Sequence, residues 1–312
     1  VSGANERENA LLSLQVFKAR LSRQKGILVS TEATGGSRPA PFVGSEFPEA
    51  EFREVCRILL AKRGFDLAMY KDRCVKRRIA TRVRARGLSE ARPYLALLER
   101  DEAELDALMA ALTIHVSQFF RNPSTFALLE RQVLPELLRR AQAEGRRTLR
   151  LWSVGCASGE EPYSLALLMQ ELAPPEVKID ILGTDISAAI LESARAGLYE
   201  PQRLAEVPAS VRERYFTPEG KGLRLAESIR RLVRFECHNM LTAPVYPRAD
   251  LIVCRNVLIY FSREEQENIL QRFAAALPVG GVLVLGKAEM LLGLSRRLFA
   301  AEYAGERIYR RQ

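Results

Sequence analysis

Residues 149–185 constrain the fold of this chain more than any other stretch. An apolar segment ends in Leu151-Trp152-Ser153-Val154. A turn carrying Gly155 and Gly159 follows, a helix opens near Glu160, and a second apolar segment from Val177 to Leu182 runs into Gly183-Thr184-Asp185. Strand, glycine turn, helix, and strand ending on a carboxylate is how a parallel sheet with a nucleotide-type crevice begins. Small turn residues let the backbone approach a ligand closely, and a carboxylate closing the second strand can accept two ribose hydroxyls. Only Gly155 and Gly159 of a dinucleotide glycine pattern are in place, and Glu160 and Glu161 would repel a pyrophosphate at the helix mouth. A ribose ligand bearing cations rather than phosphates, such as S-adenosylmethionine (SAM), fits the spacing better.

Strand and helix patterns continue to alternate beyond this stretch, as a doubly wound α/β domain requires. Helices are expected over Glu161–Leu172, Ser187–Ala196 and Arg263–Leu277, with strands over Leu232–Cys237, Asp250–Cys254 and Val282–Leu285. Two terminal strands are expected near Leu298–Glu302 and Arg307–Tyr309. Between Leu198 and Arg231 the alternation stops, and Pro201, Pro208, Pro218, Gly220 and Gly222 mark an inserted small β subdomain. The division expected is an extension over 1–45, an all-helical domain over 46–146, and a Rossmann-like domain over 147–312 with its insertion at 198–231.

Residues 5–25 carry a helical apolar rhythm, and Gly26 to Gly44 reads as a linker. From Phe47 the pattern is helical. Pro48 and the acidic residues after it open a helix carrying Phe52, Val55, Cys56, Leu59 and Leu60. The stretch Tyr70–Arg86 sets Cys74 or Val75, Ile79 and Val83 on one stripe, surrounded by Lys71, Arg73, Lys76, Arg77, Arg78, Arg82, Arg84 and Arg86, with only Asp72 opposed. Such a face is either solvated or docks an acidic helix or a phosphate backbone. No aromatic residues alternate with the cations, which argues against single-stranded nucleic acid.

The 312 residues suffice for one large or two ordinary domains, and the net charge of +9 points to an acidic partner without choosing its class. No apolar run reaches a membrane span, and charges at Glu6, Arg7, Glu8, Lys18 and Arg20 leave no signal peptide in residues 1–24, so a cytoplasmic protein is expected. Five scattered cysteines and two histidines, His115 and His238, give neither a metal spacing nor a disulfide framework, and reduced, mostly buried thiols are expected. Neither histidine has a patterned serine or acidic partner, so both read as structural.

Ligand residues should lie beyond the strand ends, at Gly155–Glu161, Asp185, His238-Asn239-Met240, Arg255-Asn256-Val257 and Gly286-Lys287-Ala288-Glu289. Asp185 suits a ribose, or alternatively caps the helix from Ser187. Asn239 and Asn256 suit an adenine edge or an amino acid moiety, or are ordinary turn residues. The run Arg255-Asn256-Val257-Leu258-Ile259-Tyr260-Phe261 lacks the Pro-Pro-aromatic sequence of amino-directed nucleic-acid methyltransferases.

At these residues the chain resembles the chemotaxis receptor glutamate methyltransferase family, CheR. The resemblance rests on Ser117-Gln118-Phe119-Phe120-Arg121, Trp152–Ser164, Gly183-Thr184-Asp185-Ile186, Cys254–Phe261 and Gly286–Glu289, and spans about Glu46 to Gln312. It implies SAM-dependent methyl esterification of glutamates on a cytoplasmic chemoreceptor coiled coil, with S-adenosylhomocysteine as product. By the same resemblance Ser117, Arg121, Gly155, Glu161, Asp185, Asn239, Met240, Asn256 and Val257 hold the cofactor. Arg121 and Tyr260 orient the acceptor carboxylate, and Arg73, Arg77, Arg78 and Arg84 dock the receptor. Neither metal nor nucleic acid is implied, and a monomer is expected.

Three departures from the family pattern stand out: Asn122 for the common Glu, Ser117 for Thr, and Lys287-Ala288 for His-Ser. The short loop around Pro218–Gly222 favours a form that needs no receptor tether. Two other readings are a related methyltransferase acting on another acidic signalling protein and a non-catalytic SAM-binding scaffold.

Overall fold

The computed structural model describes residues 47–113 and 117–312. The expected helix within 5–25, the linker and His115 lie outside the described residues.

The helical domain comprises α1 (Glu49–Arg63), α2 (Asp72–Ala85), α3 (Ala91–Arg100) and α4 (Glu102–Leu112). Helix α1 starts after Pro48 with Glu49 and Glu51 in its first turn, and ends on Lys62 and Arg63 before a left-handed Gly64, charges that complement its dipole. Its buried face is Phe52, Val55, Ile58 and Leu59; Cys56 is half-buried and Leu60 is exposed. Helix α2 buries Val75, Ile79, Ala80 and Val83, so Val75 rather than Cys74 starts the stripe. The centre of this bundle is polar. Glu104, 2% exposed, accepts two bonds from Arg82 at 2.9 and 2.5 Å and one from the Tyr94 hydroxyl at 2.8 Å. Burial alone would raise its carboxyl, and these donors outweigh it and hold the pKa below the usual value.

A second helical stretch, α5 (Pro123–Leu128) and α6 (Leu134–Ala143), is joined by a π-helical turn at Leu129–Val133. Its apolar residues, with Phe119 and Phe120, pack into the cluster built on the sheet, whereas the bundle's cluster spans Phe47 to Leu112. The boundary between the two cores thus falls between Leu112 and Phe119, well before the expected domain division at 146.

The sheet has seven strands in the order β6-β2-β1-β7-β8-β10-β9. In chain order the principal elements are β1 (Thr148–Val154), α7 (Glu160–Leu172), β2 (Lys178–Asp185), α8 (Ala188–Ala196), β6 (Val233–Cys237), β7 (Leu251–Cys254), α11 (Arg263–Ala276), β8 (Val282–Leu285), β9 (Phe299–Tyr303) and β10 (Ile308–Arg311). Strands β6, β2, β1, β7 and β8 are parallel, while β10 runs antiparallel to both β8 and β9. The insertion supplies β3 (Leu198–Tyr199), β4 (Phe216–Glu219) and β5 (Gly222–Leu225) as a small antiparallel sheet, along with α9 (Ala209–Tyr215) and α10 (Glu227–Arg230). The fold class is thus as expected: a helical domain, then an α/β domain with a small inserted sheet.

From β1 the chain winds outward through β2 to β6, then returns to β7 on the other side of β1. The crevice at this reversal, outside the carboxyl ends of β1 and β7, is where open parallel sheets bind ligands. Register pairs Val154 with Thr184, Asp185 with Cys237, and Cys254 with Leu285, so the candidate segments emerge along one edge.

Candidate functional site

One cavity of about 1210 Å³, its mouth included, opens at that edge. Its floor is the β1–α7 turn. Gly155 has φ +65°, and a Cβ there would stand 2.6 Å from a Val257 methyl, so only glycine lets this turn pass the loop after β7. Ser117, Arg121, Gly155, Glu161, Asp185, Asn239, Met240, Asn256, Val257 and Tyr260 all line this cavity. Ala157, His238 and Arg255 also line it, within the segments expected at the strand ends though none was given a role of its own, and so does Tyr70, which no motif marked.

Asp185, 6% exposed, accepts the Ala157 N–H through Oδ2 and the Ser187 N–H through Oδ1, both at 3.0 Å. It therefore ties the β1 turn to the end of β2, while the Ser187 hydroxyl caps α8 by accepting from Ile190. A carboxylate oxygen can accept more than one hydrogen, so these backbone bonds do not bar a ligand hydroxyl. The two opening glutamates of α7 part ways. Glu161 faces the cavity, where it accepts the Ser153 hydroxyl and lies 3.4 Å from Arg255. Glu160 is fully buried with Ser158 and Arg203 and does not line the cavity. Burial pushes both carboxyls above the usual value.

The loop after β7 is held by a buried carboxylate. Glu289 Oε1 accepts the N–H groups of Val257 and Leu258, both at 2.8 Å, while Oε2 accepts those of Asn256 at 3.0 Å and Gly286 at 2.6 Å. Burial raises this carboxyl, and the four N–H donors oppose the rise. A Cβ on Gly286 would stand 2.7 Å from Glu289 Oε2, so glycine is required for the clasp. The clasp fixes Asn256 at φ +61°, with its Oδ1 buried and without a protein donor. The His238 ring, which faces the same cavity, is held edge-on by Trp152 and Tyr246. By contrast, Asn239 spends its carbonyl on the Leu241 N–H, leaving only its NH2 for a ligand.

Arg255 was expected beyond the end of β7 without a role of its own. Its side chain, 2% exposed, donates to the Arg121 carbonyl at 2.7 Å and to Asn122 Oδ1 at 2.5 Å, and stacks on Phe126 at 5.5 Å. Asn122, a departure from the family pattern, thus meets an arginine. Lys287, another departure, pairs with Glu306 at 3.3 Å, away from the cavity lining.

The helical domain closes the other wall. Tyr70 bridges to Phe261, Lys71 N–H donates to the Tyr260 carbonyl at 2.9 Å, and Lys71 Nζ to the Ile259 carbonyl at 2.8 Å. Arg78 lies 4.5 Å over the Tyr260 ring and donates to the Leu112 carbonyl, and Lys76 pairs with Glu49. Together with Arg82 and Arg86, which face Glu104, five of the eight cations of α2 and its flanks are engaged within the fold. Arg73, Arg77 and Arg84 remain on the exposed side, so Arg78 does not share the outer face expected for docking. All five thiols are free; Cys156 and Cys254 are buried, Cys56 and Cys74 half-buried, and Cys237 exposed, so fewer are buried than expected. Among the described residues no group of metal-ligating side chains occurs and no helix is long and apolar enough to cross a membrane.

The donor set fits SAM. The buried Asn256 carbonyl without a protein donor suits a ligand N–H group, the Asp185 carboxylate at the end of β2 suits ribose hydroxyls, and Glu161 suits a cation.

Comparison with known proteins agrees. The family model described as CheR methyltransferase, SAM binding domain, matches residues 115–303, and that described as CheR methyltransferase, all-alpha domain, matches residues 50–113. A chemotaxis protein methyltransferase of Listeria monocytogenes is 38% identical over 78% of this chain and 91% of its own length. That of Salmonella typhimurium is 35% identical over 80% of this chain and 86% of its own. An uncharacterized 104.1 kDa protein of Rhodobacter capsulatus is 39% identical over 80% of this chain but only 26% of its own length.

Proposed function

The chain belongs to the CheR methyltransferase family, and from that premise we propose that it transfers a methyl group from SAM to glutamate side chains of chemoreceptors, giving glutamate methyl esters and S-adenosylhomocysteine. The observation that carries this reading is the cavity at the β1/β7 crossover, with Asp185 and Glu161 on its sheet side and Tyr260 under the helical domain. When bound, SAM supplies a methyl group made electrophilic by its sulfonium.

The protein's own work is positioning. A glutamate is ionised at neutral pH, its reference pKa being about 4.3, so no general base is required to make it a nucleophile. Arg121 and Tyr260 are assigned to orient that carboxylate for in-line attack, the carbon–sulfur bond breaking as the carbon–oxygen bond forms. Because both charges vanish in the reaction, tight ion pairing of the acceptor would slow it. Asp185 is assigned to the ribose, Glu161 to the amino acid end, Asn239, Met240, Asn256 and Val257 to the remaining cofactor contacts, and Ser117 and Gly155 to the pocket walls. The exposed Arg73, Arg77 and Arg84 of α2 suit an acidic receptor coiled coil, met by a monomer in the cytoplasm.

The test is transfer of labelled methyl from SAM to receptor-bearing membranes, followed by alkaline release of volatile methanol. Base-labile label on receptor is expected. Cofactor binding without receptor labelling would move the acceptor to another acidic signalling protein.

A further inference from the structure

The inserted subdomain reaches into the site through Arg203, which belongs to none of the motifs that carried the resemblance. This residue sits in the short 3-10 turn Pro201–Leu204, between β3 and α9. Its carbonyl accepts the Phe119 N–H at 3.1 Å, and its guanidinium donates to the Ser117 carbonyl. The same guanidinium nitrogen lies 3.4 Å from the buried carboxylate of Glu160, to which the Ser117 side chain also hydrogen-bonds. Phe119 wedges edge-on between Tyr199 at 4.8 Å and Phe216 at 5.4 Å, both from the small sheet.

The segment so held carries a strained residue. Asn122 at φ +60° is of a type that adopts this region readily, whereas Phe120 has φ +50°, a conformation a bulky side chain avoids unless its surroundings enforce it. Three anchors do so: Ser164 Oγ accepts the Phe120 N–H at 2.9 Å, Arg255 grips the Arg121 carbonyl and Asn122, and Arg203 grips Ser117 and Phe119. Only the Arg203 anchor comes from the insertion.

Resting on the proposed cofactor site, we infer that Arg203 is a positioning residue for SAM: it fastens the segment bearing Ser117 and Arg121 across the cavity, making the small subdomain a part of the cofactor site. Glu160 is its electrostatic partner in this, a buried carboxylate that holds the guanidinium in place without touching the cavity.

The experiment is calorimetric titration of the full chain with SAM and with S-adenosylhomocysteine, for wild type, Arg203→Met and Arg203→Lys. Hydrogen exchange at the Phe119 and Phe120 amides and the near-ultraviolet circular dichroism are followed alongside. Arg203→Met is expected to weaken both ligands roughly tenfold, the scale of one lost charge-assisted hydrogen bond, and to speed exchange at those amides. Arg203→Lys keeps a cation beside Glu160 and hence the fold, but as a point charge cannot hold Ser117 as well, and is expected to lose affinity severalfold. Wild-type affinity in both variants overturns the inference, as does a loss of binding that only tracks a loss of folded signal. A wild-type chain that binds neither ligand would instead sink the cofactor site itself.

Discussion

At the scale of single residues, two carboxylates in one cavity are prepared differently. Asp185 holds two backbone N–H groups in the cavity lining, where it serves the turn and is placed for the proposed ribose contact. Asp185→Ala is expected to weaken SAM by at least about tenfold, since buried ligand hydroxyls would lose their acceptor, while the circular dichroism spectrum is retained. Unchanged calorimetric affinity would remove that role. Glu161 carries a carboxyl raised by burial, opposed by Arg255 and Ser153. Relative to an exposed carboxyl the balance is shifted toward the neutral form, so this group's contribution to stability is greatest below the ordinary carboxylate pKa and fades as pH rises through the raised value. A cationic ligand favours the ionised form, so affinity should fall as the solution is acidified through that value, and binding within that range should release a proton. Titrations in buffers of different ionisation heat would detect the proton, and Glu161→Gln should abolish it.

At the scale of elements, α2 divides its cations by direction. Its inner arginine, Arg82, neutralises Glu104 at the bundle's centre, whereas Arg77 and Arg84 face outward. Arg82→Met should cost about 3–5 kcal/mol in denaturant unfolding, the range for stripping a partner from a buried charge. The pair Arg77→Glu and Arg84→Glu should leave stability and cofactor affinity nearly unchanged yet raise the KM for receptor, because it reverses the charge presented to an acidic coil. Equal receptor turnover by that double variant would exclude α2 as the docking surface. The periodicity of α2 made its buried stripe legible in sequence. It could not reveal that Arg78 stacks on Tyr260, because that ring arrives from a loop far along the chain.

At the scale of the whole molecule, the cavity takes walls from the bundle, the parallel sheet and the segment between them. Ligand in such a site stabilises all of its walls. At a hundredfold excess over Kd, SAM should add about 2.7 kcal/mol to unfolding and shift one calorimetric transition upward as a unit. Two transitions of which only one responds would contradict a pocket built from both cores. The return of β7 to the flank of β1 creates the crevice, and the clasp of Glu289 on four backbone N–H groups gives its far lip a fixed shape.

Hydrophobic period and turn chemistry, which act between near neighbours in the chain, already specify the order of strands and helices, the inserted sheet, and the strand ends where Gly155, Asp185, Asn239, Asn256 and Tyr260 emerge. Which groups face each other follows from the assembled fold: Glu161 toward the cavity and Glu160 toward Arg203, Arg78 over Tyr260, Asn122 on Arg255, and residues 119–141 with the sheet rather than the bundle. Pattern fixes which face of an element is buried. What that face meets depends on packing between segments distant in sequence, where the partner of a charge or a lone pair is chosen by the geometry of the assembled core.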